Sequence, residues 1–208
     1  MQISWFGLAY FRLVTREATV IIDPYSPSVG LKPPRLSTDI LLLTSDREAH
    51  GNQKTVSGEP FLVSGPGEYE VKNIFVWGHA IDHNGDQPRR TTVYVIEAED
   101  LSIAHLGDLN VVPTEEQLDR LEGVDILMIP VGGHHVLDAK KASALISEIE
   151  PRVVIPMYYK NNGLKMPLAS LDAFSKELGV KGSEKLDKYK ISKKDLPQDE
   201  TKVVILQS

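Results

Sequence analysis

The sequence predicts an α/β protein of two mixed sheets packed face to face with helices outside, in a single domain over residues 1–208. Three observations carry that expectation. Short runs rich in β-branched and aromatic residues fill the first half. After about Thr114, helical periodicity alternates with short apolar strands. No linker-like segment or internal repeat interrupts the chain.

Taken in order, Gln2–Gly7, Tyr10–Thr15 and Ala18–Ile22 read as a meander of strands, the third ending at Asp23-Pro24. Tyr25–Ser37 holds Pro27, Gly30, Pro33 and Pro34 and reads as loop. Asp39–Asn52, DILLLTSDREAHGN, is the stretch that organises the rest. Ile40–Leu43 has the continuous apolar character of a strand buried on both faces, and Thr44–His50 puts hydroxyl, carboxylate, guanidinium and imidazole groups at its tip. Phe61–Val63, Tyr69–Val71 and Ile74–Trp77 are further strands, with a turn at Gly65-Pro66-Gly67. His79–Arg90 reads as a polar loop. Thr92–Glu97 and Leu101–Leu106 form a hairpin that runs into Gly107-Asp108-Leu109.

The second half opens with Thr114 and Gln117 in a capping-box pattern, the short helix stopped by Gly123. Ile126–Val131 is a buried strand ending at Gly132-Gly133-His134-His135. Asp138 caps a helix whose apolar face is Ala142, Leu145, Ile146 and Ile149. Val153–Pro156 leads into Met157-Tyr158-Tyr159. Leu168, Leu171, Phe174 and Leu178 mark a last amphipathic helix, and Val203–Leu206 a terminal strand. The Lys-rich stretch Lys176–Lys202 reads as a solvated face.

Composition narrows the functional classes. Of 208 residues, 41% are hydrophobic and 25% charged, enough for a real core. A net charge of −6 gives no general attraction to nucleic acid or anionic membrane. With no cysteine, disulfides and thiolate ligands are excluded, so a metal would need His, Asp, Glu or backbone oxygen. The start MQISWFGLAYF lacks the pattern of a signal peptide, and no window approaches a membrane span. A cytoplasmic protein is expected. No partner can be named, and a homo-oligomer remains open.

Asp23, Ser45–His50, His83, Asp108, His134-His135 and Tyr158 each lie after an apolar strand or in a loop between strands. Converging on one rim, they would form a polar cleft. The stretches ISWFGLAYF, VIIDPY, SGPGEYEV, AHLGDLN, VDILMIPVGG and EPRVVIPMYY resemble the metallo-β-lactamase fold family, in its Zn-dependent hydrolase-like branch. The resemblance covers nearly the whole chain. It implies an αββα sandwich and one or two zinc or similar ions at the rim, held by an H-x-H-x-D-H loop, a later histidine, a bridging aspartate and a last histidine.

Carried over, those positions fall on Ser45, Arg47, Ala49 and His50, then His83, Asp108 and Tyr158. His50, His83 and Asp108 match. Ser45, Arg47, Ala49 and Tyr158 do not. Asp23 falls where the family supports the metal loop without ligating, although a turn-former before Pro24 reads as well. His79 could exchange with His83 in a gapped alignment, and His105, mid-strand, reads as structural. His134 and His135 read as exposed loop residues or as substitute ligands.

These losses lead to the expectation of a degenerate metal site in a non-catalytic or weakly active pseudoenzyme without a metal cofactor. The alternative is a hydrolase with one zinc or other divalent ion on His50, His83, Asp108 and His134 or His135. A structural or oligomerising protein is a third possibility. In the first case Arg47 is expected to replace metal charge by pairing with Asp108 or Asp23, while Tyr158 fills the space of the last histidine.

Overall fold

The computed structural model describes residues 1–47, 49–83, 89–180 and 185–208. Among these, six strands form one sheet in the order Tyr189–Lys190, Gln2–Trp5, Phe11–Val14, Thr19–Ile22, Ile40–Leu42, Phe61–Val63. The first four run antiparallel to their neighbours; the last two join in parallel. The second sheet has seven strands: Lys202–Val203, Val153–Met157, Ile126–Pro130, Leu101–His105, Arg89–Ala98, Ile74–His83, Gly67–Val71. It is parallel over the first four strands and antiparallel over the rest. Both sheets are mixed, as expected.

The parallel strands are the most apolar. Ile40–Leu42, Ile126–Pro130 and Val153–Met157 are buried at every position, as strands covered on both faces must be. The helix Ala139–Ile149 starts at Asp138, whose carboxylate accepts from Lys141 N, and buries Ala142, Leu145, Ile146 and Ile149. Thr114 N donates to Gln117 Oε1, closing the capping box ahead of the single-turn helix Glu115–Leu118. The last helix, Leu171–Glu177, is shorter than expected: Ser170 is its N-cap, and Leu168 is buried just before it.

Three expectations are corrected. The polar loop at His79–Arg90 is for the most part strand. Ile74–His83 and Arg89–Ala98 pair from Phe75 opposite Glu97 to His83 opposite Arg89, and residues 84–88 lie outside the described set. Exposed polar side chains such as Asp82 and Arg90 give this hairpin the composition of a loop, while Thr91, Thr92 and Val93, which follow, favour the pleat. The stretch Lys176–Lys202 is not wholly solvated. Tyr189–Lys190 pairs with Gln2–Trp5, and Tyr189, Ile191 and Leu196 are buried. The terminal strand is two strands in different sheets, Lys202–Val203 beside Val153–Met157 and Ile205–Leu206 beside Lys185–Leu186.

Candidate functional site

The strand Ile40–Leu42 delivers Thr44 to a point where the two sheets meet. Thr92 N, in the second sheet, donates to Thr44 O at 2.8 Å, and Tyr94 Oη donates to Leu43 O at 2.8 Å. Behind Thr44 is Gly107, with φ +57; a Cβ there would sit 2.6 Å from Thr44 Oγ1. Only glycine lets the Asp108 turn and the Thr44 tip approach this closely.

Asp23 is fully buried at the tip of Thr19–Ile22, in a left-handed conformation (φ 48). Its carboxylate accepts Thr44 N at 2.7 Å and Thr44 Oγ1 at 2.6 Å. The same carboxylate lies 2.8 Å from His50 Nδ1. Asp23 is thus a buried acceptor that ties the polar loop to its own strand. His50 turns its other nitrogen toward Tyr158: Nε2 is 3.4 Å from Tyr158 Oη and 3.9 Å from Asp108 Oδ2, with the two rings stacked at 5.7 Å. Tyr158, at 0% exposure, also has a left-handed backbone (φ 57), its N donating to Leu8 O. Gly132 makes room for it, since a Cβ there would meet Tyr158 O at 2.2 Å.

Asp108 is buried at 0% exposure. Thr91 Oγ1 donates to Oδ1 and Arg47 Nη1 to Oδ2, both at 2.5 Å. Arg47 reaches Asp108 from a loop residue whose side chain remains 34% exposed. The expected pairing of Arg47 with Asp108 is the one found. Burial, the largest single influence on His50, lowers its pKa; the charge and hydrogen bond of Asp23 and the charge of Asp108 outweigh it, and the net shift is upward. An imidazolium donates from both nitrogens, and both face oxygen here. Two carboxylates therefore meet a guanidinium and an imidazole biased toward its cation.

The other sequence candidates occupy different environments. His83 is buried at the end of Ile74–His83. His79 lies on the same strand, with Nδ1 3.3 Å from Arg120 Nη1. His134 and His135 are exposed. Ser45 Oγ is buried with no hydrogen-bond partner among the described residues, and Ala49 is buried. Among the described residues, no group of three or more His, Asp or Glu is placed to hold a metal ion. His105 is structural as expected: Nε2 donates to Ala9 O at 3.0 Å, Nδ1 accepts from Gly107 N, and burial, foremost, lowers its pKa to about 4. Thr91 was missed because it falls between the loop read at His79–Arg90 and the strand read from Thr92; its β-branched neighbours Thr92 and Val93 were the available signal.

A family model of the β-lactamase superfamily domain matches residues 2–158. The chain belongs to that superfamily. It is a metallo-β-lactamase-fold member of the metal-dependent hydrolase family. A candidate Zn-dependent hydrolase of the metallo-β-lactamase superfamily from Thermotoga maritima is 30% identical, with a TM-score of 0.82 over 99% of this chain and 97% of that one. The UPF0173 metal-dependent hydrolase of Thermococcus onnurineus is 26% identical over 194 residues, covering 76% of this chain and 84% of that protein. An isothiocyanate hydrolase from Delia radicum gut bacteria shares the fold, with a TM-score of 0.70 at 14% identity over 99% of this chain and 96% of that one. Among the described residues, no helix of this superfamily member is long and apolar enough to cross a membrane.

Proposed function

We propose that this chain keeps the metallo-β-lactamase sandwich as a single domain over residues 1–208 but has exchanged its dinuclear metal centre for an ion-pair network. On this reading it is a non-catalytic or weakly active member. The observation that carries the reading is Arg47 on Asp108, the carboxylate that by resemblance would bridge two metals. The family relation implies one or two divalent ions, and the residues here do not fit them. A guanidinium cannot coordinate, and Ala49 offers no donor. Among the remaining donors, His50 is held through Nδ1 by Asp23, which leaves Nε2 as a donor, but Asp108 Oδ2 is taken by Arg47. A catalytic zinc needs about three protein donors and an open position.

The names of the relatives favour a second reading, in which one divalent ion binds His50, His83, Asp108 and His134 or His135. Elemental analysis of protein purified without chelator separates the two. The network reading expects well under a tenth of an equivalent of zinc, manganese or iron per chain. Near-stoichiometric metal that supports hydrolysis of a generic ester or phosphodiester, and that is lost in His50→Ala and His83→Ala, would overturn it.

A further inference from the structure

On one face of the seven-stranded sheet Val93, Val95 and Ala104 are buried, but the start of Ile74–His83 is open. Phe75 is 40% exposed and stacks on Trp77, with ring centroids 6.0 Å apart and planes 19° apart. The antiparallel register places Glu70 and Glu97 directly across from Phe75 on its two neighbouring strands, and Glu68 across from Trp77. Side chains opposed in this way share a face, with Cβ atoms about 5 Å apart. None of these three carboxylates has an ion pair or hydrogen bond among the described residues. A groove of about 440 Å³ continues from Phe75 and Glu97 past Asp100. Nearby basic groups are already engaged: Arg16 with Glu99, Lys72 with Asp39, Lys193 with Asp125.

We propose that this aromatic and acidic sheet face is a docking surface for an arginine-bearing extended segment of a partner protein. A guanidinium satisfies both features at once, stacking on the ring faces and forking to the flanking carboxylates. Alternate residues of an extended chain repeat every about 6.6 Å, close to the separation of the two rings. Charge excludes an anionic lipid or nucleic-acid occupant, as does the net charge of −6. A second copy fits poorly, because a two-fold contact would set this patch of glutamates against itself.

The test is calorimetric titration of the full chain, at low salt, with the peptide acetyl-Arg-Ser-Arg-Ser-Arg-amide. Saturable binding is expected, weakened about tenfold in Phe75→Ala and in the double variant Glu70→Gln/Glu97→Gln. The double variant decides alone if Phe75→Ala changes the circular dichroism. The proposal is overturned by an absence of saturable heat, by variants that bind as tightly as the parent, or by spermidine binding as tightly as the peptide, which would reduce the effect to bulk charge.

Discussion

Asp108 is buried where water does not reach, and its two oxygens accept from Thr91 and Arg47. Removing Arg47 takes the guanidinium from that buried carboxylate. Breaking a buried pair from one side costs about 3–5 kcal/mol, and the partial exposure of Arg47 places this one at the low end. Arg47→Ala is therefore expected to destabilise the protein by about 3 kcal/mol in urea unfolding. Arg47→Met combined with Asp108→Asn should recover most of that loss, because no unpaired charge remains buried. If Arg47→Ala unfolds at the parent midpoint, Arg47 contributes nothing to the site.

At the scale of elements, the site is the meeting of two strand tips. Ile40–Leu42 ends at Thr44, Leu101–His105 ends at Gly107-Asp108, and the hydroxyl of Thr44 lies against the glycine. Gly107→Ala forces a Cβ into Thr44 and a left-handed backbone on alanine, costs that together reach about 2 kcal/mol or more. For a chain of this size, a melting temperature lower by about 4–8 °C is expected, read by scanning calorimetry. An unchanged melting point would mean the two tips separate without cost. The tips were legible in sequence because apolar runs stop abruptly there, and Asp23, His50 and Asp108 do converge with Arg47 and Tyr158. What was not legible was direction. His79 and His83 share a strand, yet His79 is turned toward Arg120, and a polar hairpin carries no strong apolar alternation to reveal its pleat.

For the molecule as a whole, the two-sheet architecture was readable because patterning changes between the halves. The return of the chain at Tyr189–Lys190 was not, because a two-residue edge strand within a lysine-rich stretch has no periodicity to display. Two buried histidines set against each other give the fold a pH signature. His105 is held neutral, its pKa lowered from 6.5 to about 4, mainly by burial. Above pH 6.5 it contributes no pH dependence. Below that the unfolded chain takes a proton the folded one refuses, so stability falls as pH drops, by about 2 kcal/mol between pH 6.5 and 5. His50 has the opposite sign: its pKa is raised by Asp23 and Asp108 against the opposing effect of burial. Its contribution is fully present below the unfolded pKa and is lost as pH rises through the folded one. One limb thus lies below pH 6.5 and the other above it, which places the stability maximum between them. Urea unfolding across that range should flatten on its acid side in His105→Gln and on its alkaline side in His50→Gln. A single variant that flattens both limbs would mean the two histidines titrate as one coupled group rather than as opposed ones.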